Sequence, residues 1–484
     1  MNLYNFAFQS SNMKHYSFLL IVFTILPLLA VCQGNPVDFK NDKVIDRLRT
    51  DVAILASDSL QGRESGTAGE RMASEYIINE FRKTRCKPAG SGDTSFLQPF
   101  PRRTVNISRY NKVSIGERLL TYKSDYGLLA CSASGEVKGV INAIGWDNER
   151  TLHPRPHDCI ALIDLDSPEN YSGASGKRQS TDPFERLKQA VSHGACAIIC
   201  WNCPSKYRKQ LFDFTRFDTL TVPVINVSRD VAMELINDPG KEIAMEIGIT
   251  RHTTPYCNVV GLLDHSAKKT IVFGAHYDHL GMTGDMAVCN GADDNASGTA
   301  AVLELARYFS AHPDPKANYL FICFSGEEKG LLGSEYFCDH PAVPVKDVLF
   351  MMNFDMVGRL GCMGNAVEML GGGSSREWKH IKRKVDKNPM FRIEMKQAAP
   401  PFSDHYPFLQ KEIPVVYFST GTHRQYHTRN DDTHLINFDG LAGIVDYAER
   451  FTRQASQHEH IPFSRISILT QTLGTIGLLI QMLP

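Results

Sequence analysis

The chain has 484 residues, enough for two or three domains, and 43% of them are apolar, as in soluble globular proteins. Its 52 basic and 53 acidic residues leave a formal net charge of −1. Neither sign gathers into tracts, which argues against a polyanionic partner such as nucleic acid.

Residues 18–32, FLLIVFTILPLLAVC, form an uncharged run preceded by Lys14. The run is short for a membrane span and reads as a secretory signal peptide over residues 1–34, with Met13 as the more natural start. Export follows: release, the periplasm or the cell envelope. Leu29-Ala30-Val31-Cys32 resembles a lipidation box except for the bulk of Val31, so membrane attachment through a lipidated Cys32 stands as an alternative to release. The twelve cysteines are scattered, and several lie inside apolar runs, such as Cys200 in ACAIIC and Cys323 in LFICF. They read as buried thiols, and the lone CxxC of Cys200 and Cys203 lacks the second pair of a zinc site.

Residues 42–57 and 69–84 carry apolar positions at helical spacing, separated by the polar loop SDSLQGRESGT. From 125 to 249 short β-type runs (GEVKGVINAIGW, CIALIDLD, ACAIICW, TVPVINVS) accompany one clear helix, PFERLKQAVSHG. That segment reads as a compact β-rich module; its SGASGK lacks the spacing and the Ser or Thr of a phosphate loop. From about 250 to 460, apolar strands at 270–281, 319–328, 347–358 and 413–421 alternate with helices at 296–312, 375–388 and 438–453. Such alternation predicts an α/β fold, a mostly parallel mixed sheet flanked by helices. Residues 35–124 would belong to this same domain, with 125–249 inserted, and 461–484 would form an apolar tail.

In parallel α/β folds the ligand site lies beyond the carboxyl ends of the strands. Here those ends carry His276 and Asp278, the run Asp293-Asp294-Asn295, the adjacent pair Glu327 and Glu328, Asp355, and His427. Two side-by-side glutamates at the end of a buried strand repel one another unless a cation stands beside them. Two histidines and several carboxylates without thiolate suit zinc, and would also accept cobalt or manganese. One metal needs about three protein ligands; five ligands suggest two metals sharing a carboxylate.

HYDH, GADDNASG, FSGEEKGLLGSEYF, NFDMVGR and YHTRND, in that order, resemble the motifs of the M28 family of zinc exopeptidases. The likeness covers residues 42–124 and 250–455, and the 125–249 module is similar to the protease-associated (PA) domain inserted in many members. The resemblance implies two Zn2+ per chain: His276 and Asp355 on one, Glu328 and His427 on the other, Asp293 bridging. It implies further that Asp278 orients His276, that a strained peptide bond joins Asp293 to Asp294, and that Glu327 is the general acid/base. Tyr426, beside His427, is a candidate donor to the developing oxyanion. His279, His405, His423 and His434 are left as loop residues or substrate contacts, and Asp404 in SDHYPF has no assigned role.

The leading expectation is therefore an aminopeptidase acting on peptides. A carboxypeptidase of the acidic-dipeptide type is the alternative; it would need a positioned arginine, and Arg359, Arg424 and Arg429 lie near the motifs. A non-catalytic receptor is a third reading, against which the complete ligand set counts. Side-chain specificity and oligomeric state leave no readable trace in the sequence.

Overall fold

A computed structural model describes residues 42–481, apart from 109, 146–158, 167–181, 206, 208–210, 213–218, 284–285, 363 and 387–390. The expected signal peptide, the lipidation site and the SGASGK segment lie outside the described residues. The chain divides into two compact units, one of residues up to Phe100 together with those from Tyr256 onward, the other Pro101–Pro255.

The first unit is built on a sheet that is nine-stranded among the described residues. Its main strands are β1 (Ile249–Leu263), β2 (Thr270–His276), β3 (Asn318–Phe324), β4 (Val348–Phe354), β5 (Ala366–Leu370), β6 (Arg392–Met395) and β7 (Val415–Ser419). They lie in the order β1–β3–β2–β4–β7–β5–β6. Strands β3, β2, β4 and β7 are mutually parallel, whereas β1 and β5 run antiparallel to their inner neighbours. Every residue of β2 is buried, the signature of a strand covered on both faces, and it explains why these strands read as continuous apolar runs.

Helices α1 (Asp42–Leu55), α2 (Ala68–Lys83), α3 (Gly298–Ala311), α4 (Leu332–Asp339), α5 (Glu377–Val385), α6 (His405–Gln410), α7 (Phe438–Ala455) and α8 (Ile468–Gln481) complete the unit. Val44, Leu48, Val52 and Leu55, at helical spacing on α1, share one buried cluster with Ala300, Leu303 and Phe309 of α3, Phe273 and Phe321 of the sheet, and Leu441, Val445 and Phe451 of α7. The first three helices are also joined by charge. Arg307 on α3 donates two hydrogen bonds to Asp51 of α1 (2.6 and 2.9 Å) and one to Glu80 of α2 (2.8 Å). Glu304, one turn earlier, pairs with Arg307 and with Arg47 of α1.

Caps set the helix starts. Thr67 accepts from the Glu70 amide, and the Glu70 carboxylate accepts from the Gly66 amide, a variant of the reciprocal capping box. Asn437 caps α7 through the Gly440 amide. The C-terminal tail is helical in α8, with Ile468, Leu469, Leu473 and Ile476 exposed while Gln471 bonds both backbone groups of Ala399. Among the described residues no helix is long and apolar enough to cross a membrane.

The second unit, wider at both ends than the segment read from sequence, holds a sheet of eight described strands with its own apolar clusters. Gly135–Gly145, Cys159–Asp164, Ala197–Trp201 and Val224–Val227 are parallel neighbours in it. Helices Pro183–Ser192 and Arg229–Asn237 accompany them. Most of the described cysteines of the two units are buried.

Candidate metal centre

The parallel register brings the carboxyl ends of β2, β3, β4 and β7 to one rim; His276 of β2 stands opposite Phe324 of β3. Immediately beyond those ends the chain places Asp278, Glu327, Glu328 and Asp355, and the loop after β7 brings in His427. Sequence-predicted residues from separate segments therefore converge, with one substitution in the set.

The carboxylate at the centre is Asp294. Its Oδ1 lies 3.3 Å from His276 Nε2 and its Oδ2 lies 3.1 Å from His427 Nε2. His276 Nε2 is also 3.4 Å from Asp355 Oδ1, and His427 Nε2 is 3.2 Å from Glu328 Oε2. Two groups of donors, His276 with Asp355 and His279 with Glu328, thus share Asp294, and His427 stands beside the second. Asp293, expected as the shared carboxylate, faces away. Its Oδ1 accepts from the Gly358 amide at 2.6 Å and from the Ser297 hydroxyl at 3.1 Å, and its Oδ2 lies 3.2 Å from His423 Nε2. The non-standard peptide bond is likewise displaced by one residue: the cis bond joins Asp294 to Asn295, not Asp293 to Asp294.

The loop that presents Asp294 is held from several sides. Asp431 Oδ2 accepts from the amides of both Asp293 and Asp294 at 3.0 Å. The Asn295 side chain donates to the Phe354 carbonyl at the end of β4 and accepts from the Gly298 amide at the start of α3. Gly298 and Gly358 leave room for this: a Cβ on Gly298 would stand 2.3 Å from the Phe354 carbonyl oxygen, and one on Gly358 would stand 2.9 Å from Asp293 Oδ1. His427 and Met356, on either side of the cleft, adopt left-handed backbone conformations at φ 55° and 57°, which packing must hold in place.

Asp278 has a different job from the one expected. Its carboxylate lies 3.8 Å from His276 Nδ1, too far for a hydrogen bond; the backbone carbonyl of Asp278, at 3.2 Å, faces that nitrogen instead. The Asp278 carboxylate accepts from the Glu327 amide and from the Ser65 hydroxyl. It thereby fixes the Glu327 backbone. Tyr426 lines the cleft, and its ring stacks on that of His427 with centroids 3.8 Å apart.

Three residues given no role by the sequence belong to this machinery. His279 is fully buried and places Nδ1 2.9 Å from Glu328 Oε1; the HYDH motif displayed it without showing that it turns inward. Asp431 stood inside YHTRND without a function. Arg63, in the polar loop between the first two helices, is fully buried and donates to the carbonyls of Tyr277, Asn290, Gly291 and Leu55. It anchors the loops that carry the site and is the cation behind them. His405 stacks on Tyr417, kept neutral by burial that brings its imidazole down to about 3. His434 is exposed and stands apart.

The donor set fits divalent metal. Burial works to lower the His276 imidazole, yet Asp355, Glu327 and Asp294 outweigh it and hold it well above its ordinary value. For His427, burial is likewise outweighed by Asp294 and Glu328, and the imidazole rises to about 10. Burial works to raise the Asp294 carboxyl, yet hydrogen bonds from His276 and His427 outweigh it and hold it well below its ordinary value. Carboxylates crowded so closely around these histidines suit a cation held among them, since buried charge without a counter-charge is costly. Nitrogen and oxygen donors without thiolate suit zinc.

A sequence profile of Peptidase family M28 matches residues 258–452. That segment is similar to peptidase family M28. Among curated proteins, Aminopeptidase YwaD of Bacillus subtilis is 27% identical over 432 residues, covering 84% of each chain. Among solved structures, an aminopeptidase from Aneurinibacillus sp. strain AM-1 is 20% identical, covers 87% of this chain and 96% of its own, and superposes with a TM-score of 0.49. A zinc aminopeptidase from Bacillus subtilis is 21% identical, covering 86% and 95%, with a TM-score of 0.45. All these potential donors, from His276 to His427, fall inside the M28 match.

Proposed function

We propose that this chain is an exported two-zinc aminopeptidase that removes residues from the N-termini of peptides. The observation that carries the reading is the pair of donor groups sharing Asp294, with Glu327 beside them lining an open cleft. His276 and Asp355 would hold one zinc, Glu328 and His427 the other, and Asp294 both. Bound zinc supplies Lewis acidity toward water and the scissile carbonyl.

The chain's own residues do the rest. Glu327 is half-buried, lines the cleft, and has its backbone tied to Asp278. Burial raises its carboxyl well above the ordinary value; His276 opposes the rise, while Asp355, Asp404 and Glu328 add to it. Such a group takes a proton from the attacking water readily and returns it to the leaving amine. Tyr426, which lines the cleft, would donate to the developing oxyanion.

An aminopeptidase must hold a substrate ammonium, a carboxypeptidase a carboxylate. Among the described residues lining the cleft there is no arginine or lysine. Arg359 is turned onto Gln425. The cleft thus favours the cationic end of a peptide. We read the second unit as a PA-type module.

One peptide, incubated with the zinc-loaded protein and followed by mass spectrometry in free, N-acetylated and C-amidated forms, tests the reading. Chelator-sensitive trimming blocked by acetylation supports it; trimming blocked only by amidation makes the protein a carboxypeptidase. Glu327→Gln should keep its zinc and lose about 10²–10⁴ in rate, and a variant as fast as wild type would remove Glu327 from the mechanism.

A further inference from the structure

The cleft continues past the donor cluster between β5 and β7. In the antiparallel register of these strands Glu368 stands opposite Ser419, and Leu370 opposite Tyr417. Side chains at alternate positions share a face and cross-strand partners sit side by side, so these four present one surface. All four line the cleft, with Met356 and Phe402 beside them. The intervening residues, Met369 and Phe418, are fully buried on the opposite face.

This wall is apolar except at one point. Leu370, Phe402, Met356 and the Tyr417 ring would take the aliphatic stem of a bound residue, and Glu368 would meet its end. Among the described lining residues Glu368 is the one charged group outside the donor cluster around Asp294. Its side chain is only 14% exposed. Among the described residues it pairs with Lys396, whose Nζ lies 3.6 Å away and is closer to Glu394, at 3.3 Å. Lys396 is nearly half exposed, so such a pair is weak and a competing cation can displace it with water and Glu394 as alternatives.

From this arrangement we infer that Glu368 is a specificity-determining residue that selects substrates whose N-terminal side chain is long and ends in a cation, lysine or arginine. The inference rests on the aminopeptidase reading above and deepens it. An apolar channel closed by a carboxylate rewards a methylene stem carrying a positive end. A stem of equal length with a methyl end leaves Glu368 with Lys396 alone. An acidic side chain is repelled.

Lysine and norleucine share a stem and differ in the terminal charge, so the pair isolates the effect of Glu368. The zinc-loaded full chain would be assayed on N-terminal lysyl and norleucyl anilides, as wild type, Glu368→Gln and Lys396→Met. Wild type should favour lysine by about tenfold or more in kcat/KM, as expected of a charge-assisted contact. Glu368→Gln should abolish that ratio through a rise in KM for lysine, and Lys396→Met should increase it. Calorimetric binding of free lysine and free norleucine to the same proteins provides a readout independent of turnover. A lysine-to-norleucine ratio unchanged in Glu368→Gln, in both kinetics and binding, overturns the assignment. Failure of every protein to release either N-terminal residue, with zinc bound, instead overturns the aminopeptidase reading.

Discussion

The residue that decides the site is Asp294, because it is placed against both His276 and His427. Its neighbour Asp293 is occupied with the Gly358 amide and Ser297. The two aspartates should therefore respond differently to amidation. Asp294→Asn should lose zinc from both positions, whereas Asp293→Asn should bind zinc at normal stoichiometry, measured by elemental analysis of the purified proteins. Metal lost equally in both variants would mean that the two carboxylates act as a unit. The sequence displayed the pair but not its orientation. Which of two adjacent carboxylates turns inward depends on the irregular backbone at Asp294, φ −107° and ψ 91°, and no residue type signals those angles. That the residues directly following strand ends would gather at one rim was legible for the opposite reason: a buried parallel strand fixes where its next residue emerges. Asp278 and His279 show the boundary of that logic, since the motif located them without saying which atoms they would touch.

Elements were legible where burial is uniform. Strands β2, β3, β4 and β7 appear as apolar runs because both faces are covered, and α1, α2 and α7 as spaced apolar positions because one stripe is covered. What held α1, α2 and α3 together was hidden, since Arg307, Asp51, Glu80 and Glu304 look in sequence like ordinary charges on helix surfaces. In the fold Asp51 and Glu304 are almost completely buried and Arg307 nearly so. Removing one partner of such a network strands the others without a counter-charge. Arg307→Met should destabilise the protein by about 3–5 kcal/mol, read as a lowered urea midpoint, while Arg47→Met, at the half-exposed edge, should have a smaller effect. Equal losses would show that the two arginines are interchangeable supports. The helical form of the tail, α8, was not foreseen because its apolar residues carry no polar stripe and several of them face outward.

For the molecule as a whole, the donor atoms come from segments between His276 and His427 that meet only when the central sheet is formed. Metal then binds the folded chain and not the unfolded one, and occupancy adds to stability. Chelation should lower the thermal midpoint, and restoring zinc to about a hundredfold above its dissociation constant should recover about 2.7 kcal/mol. An unchanged midpoint on chelation would mean that the rim is rigid without a cation.

The first unit begins with α1 and ends its core with α7, although the intervening segment Pro101–Pro255 folds around other clusters. The apolar stripe of α1, from Val44 to Leu55, is covered by Leu441, Val445 and Phe451 of α7. During synthesis that cover does not exist until nearly four hundred further residues have been added, about 20–80 s at ordinary translation rates. Through that interval a sticky amphipathic helix waits near the start of a nascent chain, a natural client for a holding chaperone. Biosynthetic yield should thus depend on chaperone capacity more steeply than the stability of the finished protein would suggest.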